Sequence, residues 1–407
     1  MNYEQVLAYL FSALPMYQRV GNTAFKKDLT NTIALSEALG NPHQQIKTVH
    51  VAGTNGKGSS SHMLAACLQS AGYKVGLYTS PHLKDFTERI RINGLSIPKE
   101  RVIEFVEQNK ALIEQVKPSF FEITVVMAFD HFAREKVDIA VIEVGLGGRL
   151  DSTNIIQPEV CLITNIGFDH MDMLGNTLPL IAVEKAGIIK PKVPVVISEY
   201  HAETLPVFQK ATKENQASLF YAWENTLDLP PLQLKGNHQV KNAKGVISTL
   251  QVLKEKGWAV NNEHIKTGLS QVGDLTGLKG RWQKLSDSPL TYCDTGHNQE
   301  AFEYILNELS AYSYRKLYMV LGFVKEKDLT KLFPILPKEA VYIFCAPKIP
   351  RAMPLATLQQ QLHDFKAEYH CIEDVSSAVA WAKDCAQSED FIFIGGSTFV
   401  VAEIENL

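Results

Sequence analysis

No C-x-x-C pair occurs among the six cysteines, Cys67, Cys161, Cys293, Cys345, Cys371 and Cys385, and their scatter speaks against a disulfide framework or a zinc ribbon. Several sit inside apolar strand or helix patterns, as small core residues do, and a reducing cytoplasm fits them. No apolar run reaches the ~18 residues that suggest a membrane-spanning helix. Met1-Asn-Tyr-Glu4 has neither a basic region nor an apolar core behind it, so no signal peptide is expected. Positive charge is in short supply: 40 Lys and Arg against 44 Asp and Glu leave a net charge of −4. That argues against a general nucleic-acid binder, because no basic excess exists to neutralise a phosphate backbone. An anionic substrate must be met by local charge instead. Heptad runs, internal repeats and low-complexity tracts are also missing.

What is present is a chain of 407 residues with 45% hydrophobic and 21% charged side chains, ordinary for a globular protein and long enough for two domains. It is organised around His50-Val-Ala-Gly-Thr-Asn-Gly-Lys-Gly-Ser59. An apolar, β-branched run from Ile46 to Ala52 feeds a glycine-rich turn. Behind the turn, Met63/Leu64, Cys67/Leu68 and Ala71 recur at helical spacing. Strand, Gly-rich turn and helix cradle a phosphate: glycines let backbone N–H groups approach, the helix N-terminus adds positive potential, and Lys57 reaches the terminal phosphates. The usual G-x-x-x-x-G-K-[ST] pattern is met imperfectly, since its first glycine falls on Val51 and the hydroxyl arrives late, at Ser59. An ordinary βα turn is the bland alternative.

The spacing predicts helices over Tyr3–Leu14 and from Asp28 as N-cap to Gly40, with the polar loop Tyr17–Phe25 between them. Strands are expected at Lys74–Thr79, Asp138–Val144, Glu159–Thr164 and Val193–Ser198, the last closing this part. A hairpin turning at Asn93-Gly94, and helices over Lys99–Val116, Glu122–Arg134, Thr204–Glu214 and 236–256, accompany them. The glycine-rich segment 273–281 reads as a linker. Beyond it come strands at Leu290–Cys293, Leu317–Leu321, Ala340–Cys345, Glu368–Ile372 and Phe391–Ile394. They alternate with helices over Gln299–Ala311, Lys327–Phe333, Leu355–His363 and Val375–Ala386, and a last helix follows Gly395-Gly396. The fold class is therefore α/β: a phosphate-loop, mostly parallel sheet flanked by helices over 1–280, with short N-terminal helices, and a smaller Rossmann-like α/β domain over 281–407.

In such sheets ligands bind beyond the carboxyl ends of the strands. Lys57, Ser80, Glu143 and His170 all fall there. Carboxylate, imidazole and hydroxyl around a nucleotide's phosphates suit Mg²⁺, although His is an unusual ligand for it. Taken singly, a capping serine, a structural glutamate and a backbone-bonded loop histidine explain the three. Lys185 lies in the apolar helix segment Ile181–Ile189, where it snorkels, pairs with an acid, or has a task. Arg149 pins an anion or pairs with Asp151. Asp294-Thr-Gly-His-Asn298 ends a strand and opens a helix, where capping by Asp294 or Asn298 is equally natural. Gly395-Gly-Ser397 reads as a plain turn more readily than as an anion site.

The segments 53–59, 79–83, 86–94, 143–154, 169–190, 237–243, 280–283 and 294–298 together resemble the folylpolyglutamate synthase/dihydrofolate synthase family of the Mur ligase superfamily. The resemblance runs from about Tyr17 to the C-terminus and is most specific in Glu143–Asn154 and Asp169–Lys190. It implies that Asn55, Gly56, Lys57, Gly58, Ser59 and Ser60 hold ATP, that Ser80, Glu143 and His170 bind magnesium at one of two sites, and that Lys185 is carbamylated. It further implies nucleotide contacts from Asn242, Arg281, Asp294 and His297. Contacts to the pterin substrate fall to Ser119, Phe120, Phe121, Glu122, Leu150, Asp151 and Ser152, and the catalytic set is Lys57, Glu143, His170 and Lys185. Where the family often has Trp-Pro-Gly-Arg and Asp-Gly-Ala-His-Asn, this chain has Leu278-Lys-Gly-Arg281 and Asp294-Thr-Gly-His-Asn298. The implied activity is ATP-dependent addition of L-glutamate to dihydropteroate, to folates, or to both, by a cytoplasmic monomer that engages neither nucleic acid nor membrane. A cell-wall amino-acid ligase is disfavoured by the short stretch before Gly53. A phosphate-loop protein without ligase chemistry is the remaining alternative.

Overall fold

The computed structural model describes residues 1–14, 28–226, 228–325, 327, 329–363, 365–405 and 407. They form two compact units, Met1–Gln233 with His238–Leu278, and Leu234–Asn237 with Lys279–Leu407. The first unit opens with α1 (Tyr3–Ala13), capped by Asn2 Oδ1 on the Gln5 N–H, and α2 (Thr30–Ala38). Asp28 stands one residue too early to cap α2. Leu29 holds that position, and Asp28 Oδ1 accepts the Thr30 N–H at 2.9 Å. The Tyr17–Phe25 loop lies outside the described residues.

There follow β1 (Thr48–Ala52), α3 (Lys57–Ser70), β2 (Val75–Tyr78), β3 (Ile90–Ile92), β4 (Leu95–Ser96), α4 (Lys99–Val116), α5 (Phe120–Arg134) and β5 (Ile139–Glu143). Next come β6 (Val160–Ile163), α6 (Met171–Leu174), α7 (Leu178–Ala186), β7 (Val195–Ile197), α8 (Leu205–Glu214), β8 (Leu219–Tyr221), α9 (Asn237–Glu255), α10 (Asn262–Ser270) and α11 (Val272–Thr276). The eight strands run in the order β4-β3-β2-β5-β1-β6-β7-β8. All pairs are parallel except β2/β3 and β3/β4. Every residue of β1, β2, β5 and β6 is buried, as a sheet covered on both faces requires. Phe105, Phe129 and Phe132 of α4 and α5 fill one large apolar cluster, and Phe208 of α8 joins another with Val195 and Ile197. The hairpin turn places Asn93 and Gly94 at φ 48° and 79°, the left-handed pair that an Asn-Gly two-residue turn demands.

Besides the Asp28 cap, two further expectations for this unit fail. β7 does not close the sheet, because β8 extends it. The segment 273–281 is not simply a linker: residues 272–276 are helical and pack on α3, where His62 Nδ1 lies 2.7 Å from Thr276 Oγ1. Gly277, at φ 68°, terminates α11 as a left-handed cap.

The second unit contains β9 (Gln283–Asp287), β10 (Leu290–Cys293), α12 (Gln299–Leu309), β11 (Leu317–Leu321), β12 (Val341–Phe344) and α13 (Leu355–Gln361). It ends with β13 (Tyr369–Cys371), α14 (Val375–Cys385), β14 (Phe391–Gly395) and α15 (Thr398–Ala402). Its order is β13-β12-β11-β14-β10-β9, parallel except for β9 against β10. The helix expected over Lys327–Phe333 is not found among the described residues. A single 3-10 turn at Phe333–Ile335 takes its place, where Pro334 has no N–H to continue a helix.

Candidate active site

β2, β5, β1 and β6 are neighbours in the first sheet, so the segments leaving their carboxyl ends are adjacent. The turn after β1 is held by β6. Thr54 N–H donates to the Asn165 carbonyl at 2.8 Å, Asn55 N–H to Asn165 Oδ1 at 2.8 Å, and Thr164 Oγ1 to the Asn55 carbonyl at 2.7 Å. Gly53 and Gly56 are obligatory. At φ 152° and 84°, a Cβ would stand 1.8 Å from Thr164 Oγ1 and 2.3 Å from Asn242 Oδ1 respectively. Gly56 caps α3, directing that helix's first N–H groups into the turn. Asn242 also donates to Gln239 Oε1 at 3.0 Å, and Gln239 Nε2 donates to Ser59 Oγ at 3.3 Å, so the start of α9 braces the loop. Ser60 Oγ is buried with no hydrogen-bond partner.

Lys57 and Lys185 converge on one atom. Lys57 Nζ donates to the Gly53 carbonyl at 3.1 Å and to the Thr54 carbonyl at 3.2 Å. Lys185, only 3% exposed, donates to the same Gly53 oxygen at 2.8 Å. It neither snorkels nor bonds an acid. Burial, reinforced by the Lys57 charge, pulls its ammonium from the ordinary 10.5 down to about 7.

Glu143 ends β5 and is buried, and its Oε2 accepts the Ser80 N–H at 3.0 Å, which sets Ser80 against the carboxylate. His170 begins α6 at φ 49°, a left-handed conformation that seven other non-glycine residues among those described also adopt. Its N–H donates to Asp169 Oδ1 at 3.0 Å. No cluster of three or more His, Cys, Asp or Glu side chains suited to a metal ion occurs among the described residues. The Glu143 carboxylate and the Ser80 hydroxyl are oxygen donors of the kind Mg²⁺ takes, alongside waters and phosphate oxygens, whereas the His170 imidazole is an unusual ligand for it.

Arg149 pairs with Glu184 at 2.8 Å and not with Asp151. Asp151 is buried and engaged: Oδ2 accepts the Leu146 N–H at 2.9 Å, while Oδ1 accepts the Thr153 N–H and Oγ–H at 3.0 and 2.5 Å. Ser152 is buried beside it and Leu150 is half-buried. Ser119 caps α5, and Glu122 closes the capping box from N3. Phe120 packs against Phe11 and Phe86, whereas Phe121 faces Tyr78 and crowds Gly145.

In the second unit, Asp294 receives the Trp282 and Gly296 N–H groups, each at 2.7 Å. Arg281 donates to Thr295 Oγ1, and His297 Nδ1 lies 3.2 Å from the Thr295 carbonyl. Helix capping belongs to Asn298, not Asp294. Ser397 caps α15, the plain reading of its turn. Thr164, Asn165 and Gln239 were missed by sequence reasoning. Their signal was faint: polar side chains at the end of an apolar strand and in the first turn of a helix.

Residues 51–229 match the Mur ligase middle domain, and residues 280–398 match the Mur ligase glutamate ligase domain. The dihydrofolate synthase/folylpolyglutamate synthase of Bacillus subtilis (strain 168) is 32% identical over 404 residues, covering 91% of this chain and 92% of that protein. The Escherichia coli FolC structure in complex with DHPP and ADP superposes with a TM-score of 0.86 at 28% identity, over 99% of this chain and 97% of that one. A bifunctional folylpolyglutamate synthase/dihydrofolate synthase solved with Mn, AMPPNP and L-glutamate bound gives a TM-score of 0.84 at 30% identity, over 99% and 97%. Sharing both domains and nearly the whole length of these proteins, the chain belongs to the dihydrofolate synthase/folylpolyglutamate synthase family.

Proposed function

We propose that this protein is an ATP-dependent ligase that joins L-glutamate to dihydropteroate and to the γ-carboxyl of folates. The observation that carries the reading is the meeting of Lys57 and Lys185 on the Gly53 carbonyl, inside a phosphate loop whose neighbouring strand end presents Glu143 and Ser80. The relatives with ADP, or with AMPPNP, Mn and L-glutamate, support the substrate set.

A carboxylate is a poor acyl donor, so its oxygen first attacks the γ-phosphorus of ATP. The bond to the β,γ-bridging oxygen breaks, ADP leaves, and an acyl phosphate forms. The glutamate amine, neutral when it reacts, then attacks the acyl carbon; phosphate departs and the amine gives up a proton. Asn55 to Ser60 hold the ATP phosphates, and Lys57 leaves its loop carbonyls to stabilise charge on the transferring phosphoryl. Asn242 braces the loop, and Arg281, Asp294 and His297 contribute nucleotide contacts. Ser80, Glu143 and His170 hold Mg²⁺, which when bound neutralises phosphate charge. Lys185, whose burial favours the neutral amine, adds to CO₂ through its nitrogen lone pair and loses one proton, leaving a carbamate whose oxygens would suit a second Mg²⁺. Ser119–Glu122 and Leu150–Ser152 line the pterin side. The six cysteines are free, four of them buried, which suits a reducing compartment; we place the enzyme in the cytoplasm, as a monomer.

The test is phosphate release with dihydropteroate and with tetrahydrofolate, each with and without glutamate. ADP and phosphate formed only with both co-substrates supports the ligase. Equal turnover without either refutes it, and the ratio between the two acceptors shows whether one or both activities are present.

A further inference from the structure

β1 runs through the centre of a sheet buried on both faces, yet it carries an imidazole at His50, fully buried between Val49 and Val51. An apolar residue would be cheaper there. His50 Nε2 lies 2.9 Å from Thr153 Oγ1, and Nδ1 has no partner at all. A buried, unsatisfied ring nitrogen carries an uncompensated desolvation cost, so the sheet alone gives no reason for the residue.

The reason lies one bond further on. Burial raises the Asp151 carboxyl above its ordinary range, and the Thr153 hydroxyl and the backbone N–H groups around it pull it back toward the ionised form. With that carboxylate ionised it only accepts, so the single Thr153 hydroxyl proton goes to Asp151 Oδ1 at 2.5 Å. The Thr153 oxygen is then an acceptor toward His50, which must carry its proton on Nε2. Burial, followed by the nearby Lys190 charge, drives the imidazolium down to about 3, so the ring is neutral and holds a single tautomer. The chain of donors therefore has one direction: His50 Nε2–H to Thr153 Oγ, and Thr153 Oγ–H to Asp151. The other donors to Asp151 are backbone N–H groups of residues 145, 146 and 153, fixed by the turn. The Thr153 hydroxyl is the side-chain donor that can rotate away, and His50 prevents that rotation.

We propose that His50 and Thr153 are positioning residues that hold the Asp151 carboxylate as an acceptor for an N–H donor of the pterin-type substrate. This rests on the reading that Asp151 touches that substrate. Neither His50 nor Thr153 touches the substrate itself. Both act through Asp151, and one of them is carried on the strand that feeds the phosphate loop.

The experiment is steady-state kinetics of the full-length enzyme with dihydropteroate as the varied substrate, and separately with ATP varied. Thr153→Val should raise the KM for dihydropteroate about tenfold, the loss of one hydrogen bond to a charged group, with the KM for ATP held within about twofold. Thr153→Ser keeps the hydroxyl and should recover most of that loss. His50→Leu should reproduce part of the Thr153→Val effect, His50→Gln should rescue it by supplying an N–H near the Nε2 position, and Thr153→Val combined with His50→Leu should be no worse than Thr153→Val alone. Equal defects in Thr153→Val and Thr153→Ser, or parallel changes in the KM for ATP and for dihydropteroate, overturn the proposal by showing a purely structural role. Asp151→Asn separates the two levels: an unchanged KM for dihydropteroate in that variant removes Asp151 from the substrate site. A raised KM in Asp151→Asn beside a normal Thr153→Val leaves Asp151 in place and rejects the relay.

Discussion

Lys185 is a costly residue: an ammonium at that depth, facing a second cation, is desolvated, and the nearby Asp169 and Asp151 charges offset only part of that cost. Its nitrogen binds fewer protons in the folded chain than in the unfolded one between about pH 7 and the ordinary 10.5, so it makes stability rise with pH across that window. Lys185→Met is expected to flatten that rise, measured as the difference in denaturation midpoint between the two ends of the window. Carbamylation needs the neutral amine, so uptake of isotope-labelled bicarbonate should climb from about pH 6 to about pH 8 and vanish in Lys185→Met. Glu143→Gln should abolish turnover; near-normal activity would remove the residue from the proposed metal shell. Lys185 was legible in the sequence because a lysine in an apolar helix breaks the pattern around it. His50 was not, since a histidine in a β-branched run reads as a core residue, and its partner lies 103 residues away.

The phosphate loop shows what an element adds. Strand, turn and helix were readable from periodicity and from glycine placement, as was the Asn93-Gly94 hairpin. What the sequence did not disclose was the brace: Thr164 and Asn165 just after β6, and the contacts of Gln239 and Asn242 of α9, are unremarkable until the sheet order is known. Gly56→Ala tests the brace directly. The added methyl group meets Asn242 Oδ1 at 2.3 Å on a backbone at φ 84°, so the turn must shift. The expected loss in kcat/KM for ATP is about a hundredfold, with a much smaller change for Gly40→Ala, where nothing lies within 4 Å and only the backbone strain is shared. Helices α10 and α11 and strands β8 and β9 escaped notice for a simpler reason. They are short, and glycines or polar residues interrupt their periodicity.

Across the whole molecule, buried histidines set the acid limit. Burial pulls His50 and His82 down to about 3 and His131 to about 4, against an ordinary 6.5. Between these values the unfolded chain binds protons that the folded chain refuses, so stability is full above about pH 6.5 and falls as the pH drops toward 4. His43 is pulled down in the same direction by burial, so the denaturation midpoint should decline over that range, and His131→Gln should make the decline shallower. The large sheet of the first unit carries a further consequence in its margins. It is bordered by β4, two residues long, and β8, three residues long. A border that brief offers an incoming chain too few open amide and carbonyl groups to dock on and be copied, so runaway fibre growth has no template at either margin of this sheet.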